Sequence, residues 1–191
     1  MAQARTLVAA TLPSQGLALK TLIVLGGSAL IGLGAQVAVP MWPVPMTLQT
    51  LAVVLVGLTA GSRLGAAAVM TYLAQGAAGL PVFAGGAAGA AFLVGPTAGF
   101  LWGFVALAFA AGWLVERGVA RGFWRTLGAT LAISAALYVP GVLWLQAVTP
   151  LTVSGAAQVG ALPFLAGDAV KAVLAALAVS GGWAALRARR D

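Results

Sequence analysis

Ten basic and three acidic residues are the entire formal charge of this 191-residue chain. A globule in water needs more: soluble domains carry roughly a quarter charged residues. Here charged types are 7% and apolar types 62%. A soluble fold is excluded. So is a disordered chain, which combines low hydrophobicity with high charge. The expectation is an all-α integral membrane protein, a single transmembrane helical domain over residues 1–191. Six spans of about 20 residues each leave enough chain for loops and ends.

Prolines and charges divide the sequence. Spans are expected at residues 21–39, 47–62, 64–80, 96–115, 126–147 and 164–186. Residues 1–20 form an amphiphilic lead with Arg5, Pro13 and Lys20. The segment 40–46 is uncharged and held stiff by Pro40, Pro43 and Pro45. Thr47 stands where an N-cap belongs. The second and third spans are short, which a thinned bilayer or burial inside the bundle accommodates. Residues 81–95 are glycine-rich and uncharged, and 148–163 are expected as a charge-free polar loop.

The basic residues alternate along this pattern. Arg5 and Lys20 precede the first span, and Arg63 marks a tight turn between the second and third. Arg117, Arg121 and Arg125 lie between the fourth and fifth, and Arg187, Arg189 and Arg190 follow the sixth. The other three connections have no Lys or Arg. By the positive-inside rule both termini are cytoplasmic. Nine of the ten basic residues thereby have a topological reason. The net charge of +7 is then no pointer to nucleic acid. A cleaved leader ending at Ala35-Gln36-Val37-Ala38 is disfavoured, because its removal would break the alternation.

The side-chain inventory removes most chemistry. There is no cysteine and no histidine, and the acids are Glu116, Asp168 and Asp191, so neither a metal site nor a cofactor is expected. Neither Lys20 nor Lys171 follows a glycine, so there is no P-loop. One intramembrane aspartate does not make an aspartyl-protease pair, and a Ser–His site has no His. The chain is read as a non-enzyme.

Two charges remain inside a span, Asp168 and Lys171. Three residues apart, they share one helix face. At 1.5 Å per residue, Asp168 lies about 6–8 Å inward from Phe164 at the outer end. A charge at mid-membrane costs about 2.5–3.5 kcal/mol on insertion scales, and less when two neutralise each other. The pair is either a structural ion pair or a polar site at the outer mouth. Trp42, Phe83 and Trp144 fall near the same end. They belong to an interfacial belt or line an apolar pocket. Gly85-Gly86 after Phe83 suits a flexible lid or a backbone that approaches a small ligand. Ser28 and Gly32 form a small-xxx-small face, a close helix contact within the chain or with another membrane subunit.

Several segments resemble the BioY family in order and spacing. They are Gly34-Ala35-Gln36 with Pro45-Met46-Thr47-Leu48-Gln49-Thr50-Leu51, and Gly79-Leu80-Pro81-Val82-Phe83-Ala84-Gly85-Gly86 with Gly95-Pro96-Thr97-Ala98-Gly99-Phe100. Tyr138-Val139-Pro140-Gly141-Val142-Leu143-Trp144 is similar, with Pro140 where an apolar residue is more usual. Pro163-Phe164-Leu165-Ala166-Gly167-Asp168-Ala169-Val170-Lys171 completes the set. BioY proteins are biotin-binding S components of energy-coupling-factor transporters. The resemblance implies a six-helix fold with the vitamin near the outer face. It also implies two partners, a transmembrane coupling protein and a pair of cytoplasmic ATPases. Family members often contact the coupling protein through Ala-x-x-x-Ala on the first helix, where Ser28 and Gly32 stand here.

Biotin has an apolar thioether ring, a ureido group and a valerate carboxylate. Lys171 would hold the carboxylate or an ordered polar network, and Asp168 would accept the ureido N–H groups. Trp42, Phe83, Tyr138 and Trp144 would wall the ring, with Gln49 and Gln75 as amide partners and Gly86 beside them. The alternative is a proton-coupled transporter of another small carboxylate, with Asp168 as proton carrier.

Overall fold

A computed structural model describes residues 6–12, 16–119 and 122–188. Arg5, Pro13, Arg121, Arg189, Arg190 and Asp191 lie outside the described residues. The helices are α1 (Leu7–Thr11), α2 (Leu17–Gln36), α3 (Gln49–Ala60), α4 (Ser62–Ala77), α5 (Ala98–Glu116), α6 (Phe123–Val148), α7 (Val153–Gly160) and α8 (Leu165–Ala188). Leu17–Gln36, Ala98–Glu116, Phe123–Val148 and the run Val153–Ala188 are each long and apolar enough to cross a membrane. Gln49–Ala60 is a shorter apolar helix.

α5 is the hub, packing on α3, α4 and α6, while α2 lies on α3 and α4, and α8 on α3 and α6. Lipid tails are as apolar as leucine, so helices in a bilayer associate through close approach rather than hydrophobic drive. Small residues supply that approach here. A Cβ on Gly57 would stand 2.5 Å from the Ala108 carbonyl oxygen, and one on Gly112 would stand 2.1 Å from the Ser62 nitrogen. The α3–α4 turn is made at Gly61, whose φ of +95° favours glycine. Glu116 at the end of α5 caps α4: Ser62 N donates to its Oε1 at 2.8 Å and Ser62 Oγ to its Oε2 at 2.9 Å.

These contacts sort the two ends of the bundle. α4 starts where α5 stops, so Arg63, Arg117 and the start of α6 with Arg125 share one end. α2 and α8 run so that Lys20 and Arg187 lie there too. At the other end, Gln36 of α2 donates through Nε2 to the Phe83 carbonyl at 3.2 Å.

The connections depart from the sequence expectation in four places. The proline segment is closed by a two-residue ladder, Ala38 opposite Thr47 and Val39 opposite Met46. The N-cap of α3 is Leu48, although Thr47 Oγ1 accepts from Gln49 N at 3.2 Å. Residues expected as a polar loop contain α7, which starts where Thr152 Oγ1 accepts from Gly155 N at 3.1 Å. The glycine-rich segment folds into two short 3-10 turns, Ala84–Gly86 and Ala90–Leu93.

Candidate ligand-binding site

At the end of the bundle remote from Arg63, Arg117, Arg125 and Arg187 lies a cavity of about 370 Å³. That is within the range of small-molecule sites. Its walls come from the proline segment, the start of α3, the glycine-rich segment, α5, α6 and the start of α8. Most of the lining is apolar: Phe83, Phe92, Phe100, Phe104, Leu137 and Phe164 among others. Thr47, Gln49, Thr50, Thr97, Tyr138, Asp168 and Lys171 supply the polar side chains.

Asp168 and Lys171 form an ion pair, Nζ to Oδ1 2.9 Å, and both are buried. Each carboxylate oxygen has a further donor. Thr50 Oγ1 donates to Oδ1 at 3.3 Å, and the Tyr138 hydroxyl donates to Oδ2. Lys171 Nζ also donates to Thr50 Oγ1 at 3.0 Å. Thr50 therefore accepts from the ammonium and donates to the carboxylate. Asp168 sits in the first turn of α8, where the helix dipole favours an anion. A buried pair is tolerable only when its remaining donors and acceptors are met, and the hydroxyls of α3 and α6 do part of that.

Beside the pair, Gln49 is locked. Its Nε2 donates to the Tyr72 hydroxyl at 2.7 Å, and its Oε1 accepts from Thr47 Oγ1 at 2.9 Å. Phe83 pins the glycine-rich segment over the cavity. Its ring fills a notch on α4, where a Cβ on Gly76 would stand 2.1 Å from Cζ. It meets Tyr72 edge-on, centroids 5.5 Å apart, and Phe92 at 5.8 Å.

Of the residues singled out in the sequence, Asp168, Lys171, Gln49, Phe83 and Tyr138 line this cavity. Four stand outside its lining. Trp42 is 87% exposed at the tip of the proline segment. Gln75 faces α2 instead, its Oε1 accepting from Ser28 Oγ at 2.5 Å. Trp144 Nε1 donates to the Gly95 carbonyl at 3.0 Å and so ties α6 to the glycine-rich segment. Gly86, with φ +75°, serves the turn after Phe83. Ser28 and Gly32 are buried against the chain's own Gln75 and Val82. That face is an internal contact rather than one open to a partner. Sequence reasoning missed Thr50 and the phenylalanines of α5. The available signal for Thr50 was chemical: a buried lysine needs a second acceptor, and Thr50 follows Gln49 in a motif already noted.

The BioY family model matches residues 6–188. The Biotin transporter BioY of Thermotoga maritima is 41% identical over 150 residues, covering 78% of this chain and 87% of that one. The Biotin transporter BioY of Rhizobium etli is 39% identical over 169 residues, covering 83% and 90%. In fold, the chain is similar to a crystal structure of the S-component for biotin from an ECF-type ABC transporter. The TM-score is 0.77 at 24% identity, covering 93% of this chain and 96% of that one.

Proposed function

This chain belongs to the BioY family, and from that premise we propose that it captures biotin and mediates its uptake across the plasma membrane. The observation that carries the reading is the Asp168–Lys171 pair on the wall of a largely apolar cavity at the bundle end away from Arg63 and Arg117. Biotin matches that distribution. Its thioether ring suits the phenylalanine walls. Its ureido N–H groups suit Asp168, and its carboxylate suits Lys171, both charge-assisted in a water-poor site. Tyr138 and Thr50 hold the pair ready, so the protein spends little ordering on binding.

The topology follows the charges. α2, α5, α6 and α8 with the shorter α3 and α4 make the six spans, and Lys20, Arg63, Arg117, Arg125 and Arg187 mark the cytoplasmic end. Both termini are then cytoplasmic, and the cavity opens outward. The chain acts as the substrate-binding subunit of a larger transporter. A membrane coupling protein and a cytoplasmic ATPase pair are its partners, since no nucleotide site is legible in its own sequence. The outward stripe of α2, with Leu22, Leu25 and Leu33 exposed, is apolar enough for lipid or for such a partner. Ser28 and Gly32 do not lie on it.

Radiolabelled biotin uptake in cells lacking their own biotin transporter tests the function. Uptake above background on expression, alone or with a coupling module, supports it. No uptake in either case contradicts it, as does uptake abolished by a protonophore but insensitive to ATP depletion.

A further inference from the structure

Hydroxyls in these helices have a regular habit. Thr21, Thr59, Thr71, Thr126, Thr149 and Ser180 each donate to the carbonyl four residues back. That is the usual resort of a hydroxyl among apolar neighbours. Thr130 of α6 departs from it. It is 2% exposed, and its Oγ1 has no hydrogen-bond partner among the described residues. A buried hydroxyl without a partner is costly, and such groups usually meet an ordered water.

Thr130 lines a small cavity between α3, α6 and α8, together with Ser134, Thr50, Asp168 and Lys171. About 10 Å³ of it is open to the centre of a water. One water needs roughly 10–15 Å³ of such space and two to four polar partners. Thr50, Asp168 and Lys171 also line the ligand cavity, so the ion pair is the partition between the two spaces. An ammonium has three N–H donors. Two of those on Lys171 meet Asp168 and Thr50.

We propose that this cavity is a binding site for one water molecule, which accepts from Lys171 and Thr130 and donates to Ser134. The water completes the donors of the ammonium from behind. Thr130 and Ser134 are then positioning residues for Lys171, two and one helical turns along α6 from Tyr138. Their effect on ligand affinity rests on the reading that Lys171 meets biotin; the water itself does not.

The test is a crystal structure of the ligand-free protein in which waters are visible, with melting temperatures of wild type, Thr130→Val and Thr130→Ser. The expected result is density within about 3 Å of Thr130 Oγ1 and Lys171 Nζ. Thr130→Val melts lower than wild type, and Thr130→Ser restores most of the loss. A dry cavity overturns the proposal. So does Thr130→Val melting at or above wild type, because removing an unpartnered buried hydroxyl is neutral or stabilising. If Thr130→Val does not accumulate, Ser134→Ala is read in the same way. Biotin affinity should weaken at least threefold in Thr130→Val and recover in Thr130→Ser. Unchanged affinity overturns the positioning role. Absence of biotin binding by wild type would instead count against the proposed function, with the density still deciding the water.

Discussion

At the scale of residues, the account turns on an ion pair in a place where charge is expensive. Removing one partner of a buried pair leaves the other uncompensated, at a cost of about 3–5 kcal/mol. Lys171→Met should therefore lower the melting temperature more than the double variant Asp168→Asn/Lys171→Met, measured without ligand. Equal losses would mean that the pair is hydrated in place. Thr50 serves both charges at once. Hydrogen bonds to charged groups contribute about 1.5–3 kcal/mol. Thr50→Val should then weaken biotin binding about tenfold, which titration calorimetry would read. Asp168 and Lys171 were legible in the sequence because every other charge falls before, between or after the expected spans and these two fall inside one. Thr50 was not, because a hydroxyl in an apolar helix so often bonds only its own backbone. Trp42 stands outside the cavity lining because its side chain follows the path of the proline segment, and loop paths leave little trace in composition. Trp144 stands outside it because it lies on the side of α6 that meets the Gly95 carbonyl.

At the scale of elements, two contacts set the geometry around the cavity. The first is Phe83 in the Gly76 notch, which fixes the glycine-rich segment over the ligand space. Overpacking a tight contact costs about 1–3 kcal/mol. Gly76→Val should push the Phe83 ring out, lower the melting temperature and speed biotin release; an unchanged release rate would show that the segment does not cover the ligand. The second is the Glu116 cap on α4. Glu116→Ala leaves the Ser62 amide without an acceptor, worth about 1–3 kcal/mol. It should lower the melting temperature and leave biotin affinity unchanged, since the cap is at the far end from the cavity. Helix placement in the long apolar stretches could be anticipated from proline and charge alone. The helix at Val153–Gly160 could not, because a short, alanine- and glycine-rich stretch between two spans reads as loop until Thr152 is seen to cap it.

At the scale of the whole molecule, scarcity of charge identifies the solvent, and the placement of the few charges supports the proposed direction. The described basic residues outside the site gather at one end, and the cavity occupies the other. If that end faces the cytoplasm, a cysteine introduced at Ser154 reacts with a membrane-impermeant maleimide added to intact cells, and one introduced at Arg63 does not. The reverse pattern would invert the proposed topology and put the cavity on the wrong side for capture. The small-residue contacts among α3, α4 and α5 hold the helices close and frame a pocket from chain segments far apart in sequence. The long apolar helices could be read one at a time. Which of them meet at the pocket could not, because lipid-exposed and buried faces of such helices have nearly the same composition.

The most direct test of the central claim is calorimetric titration of biotin into the purified, detergent-solubilised protein, with Asp168→Asn and Lys171→Met as folded comparisons. The account predicts saturable one-to-one binding by wild type and at least tenfold weaker binding by each variant. Wild-type affinity in both variants would contradict it.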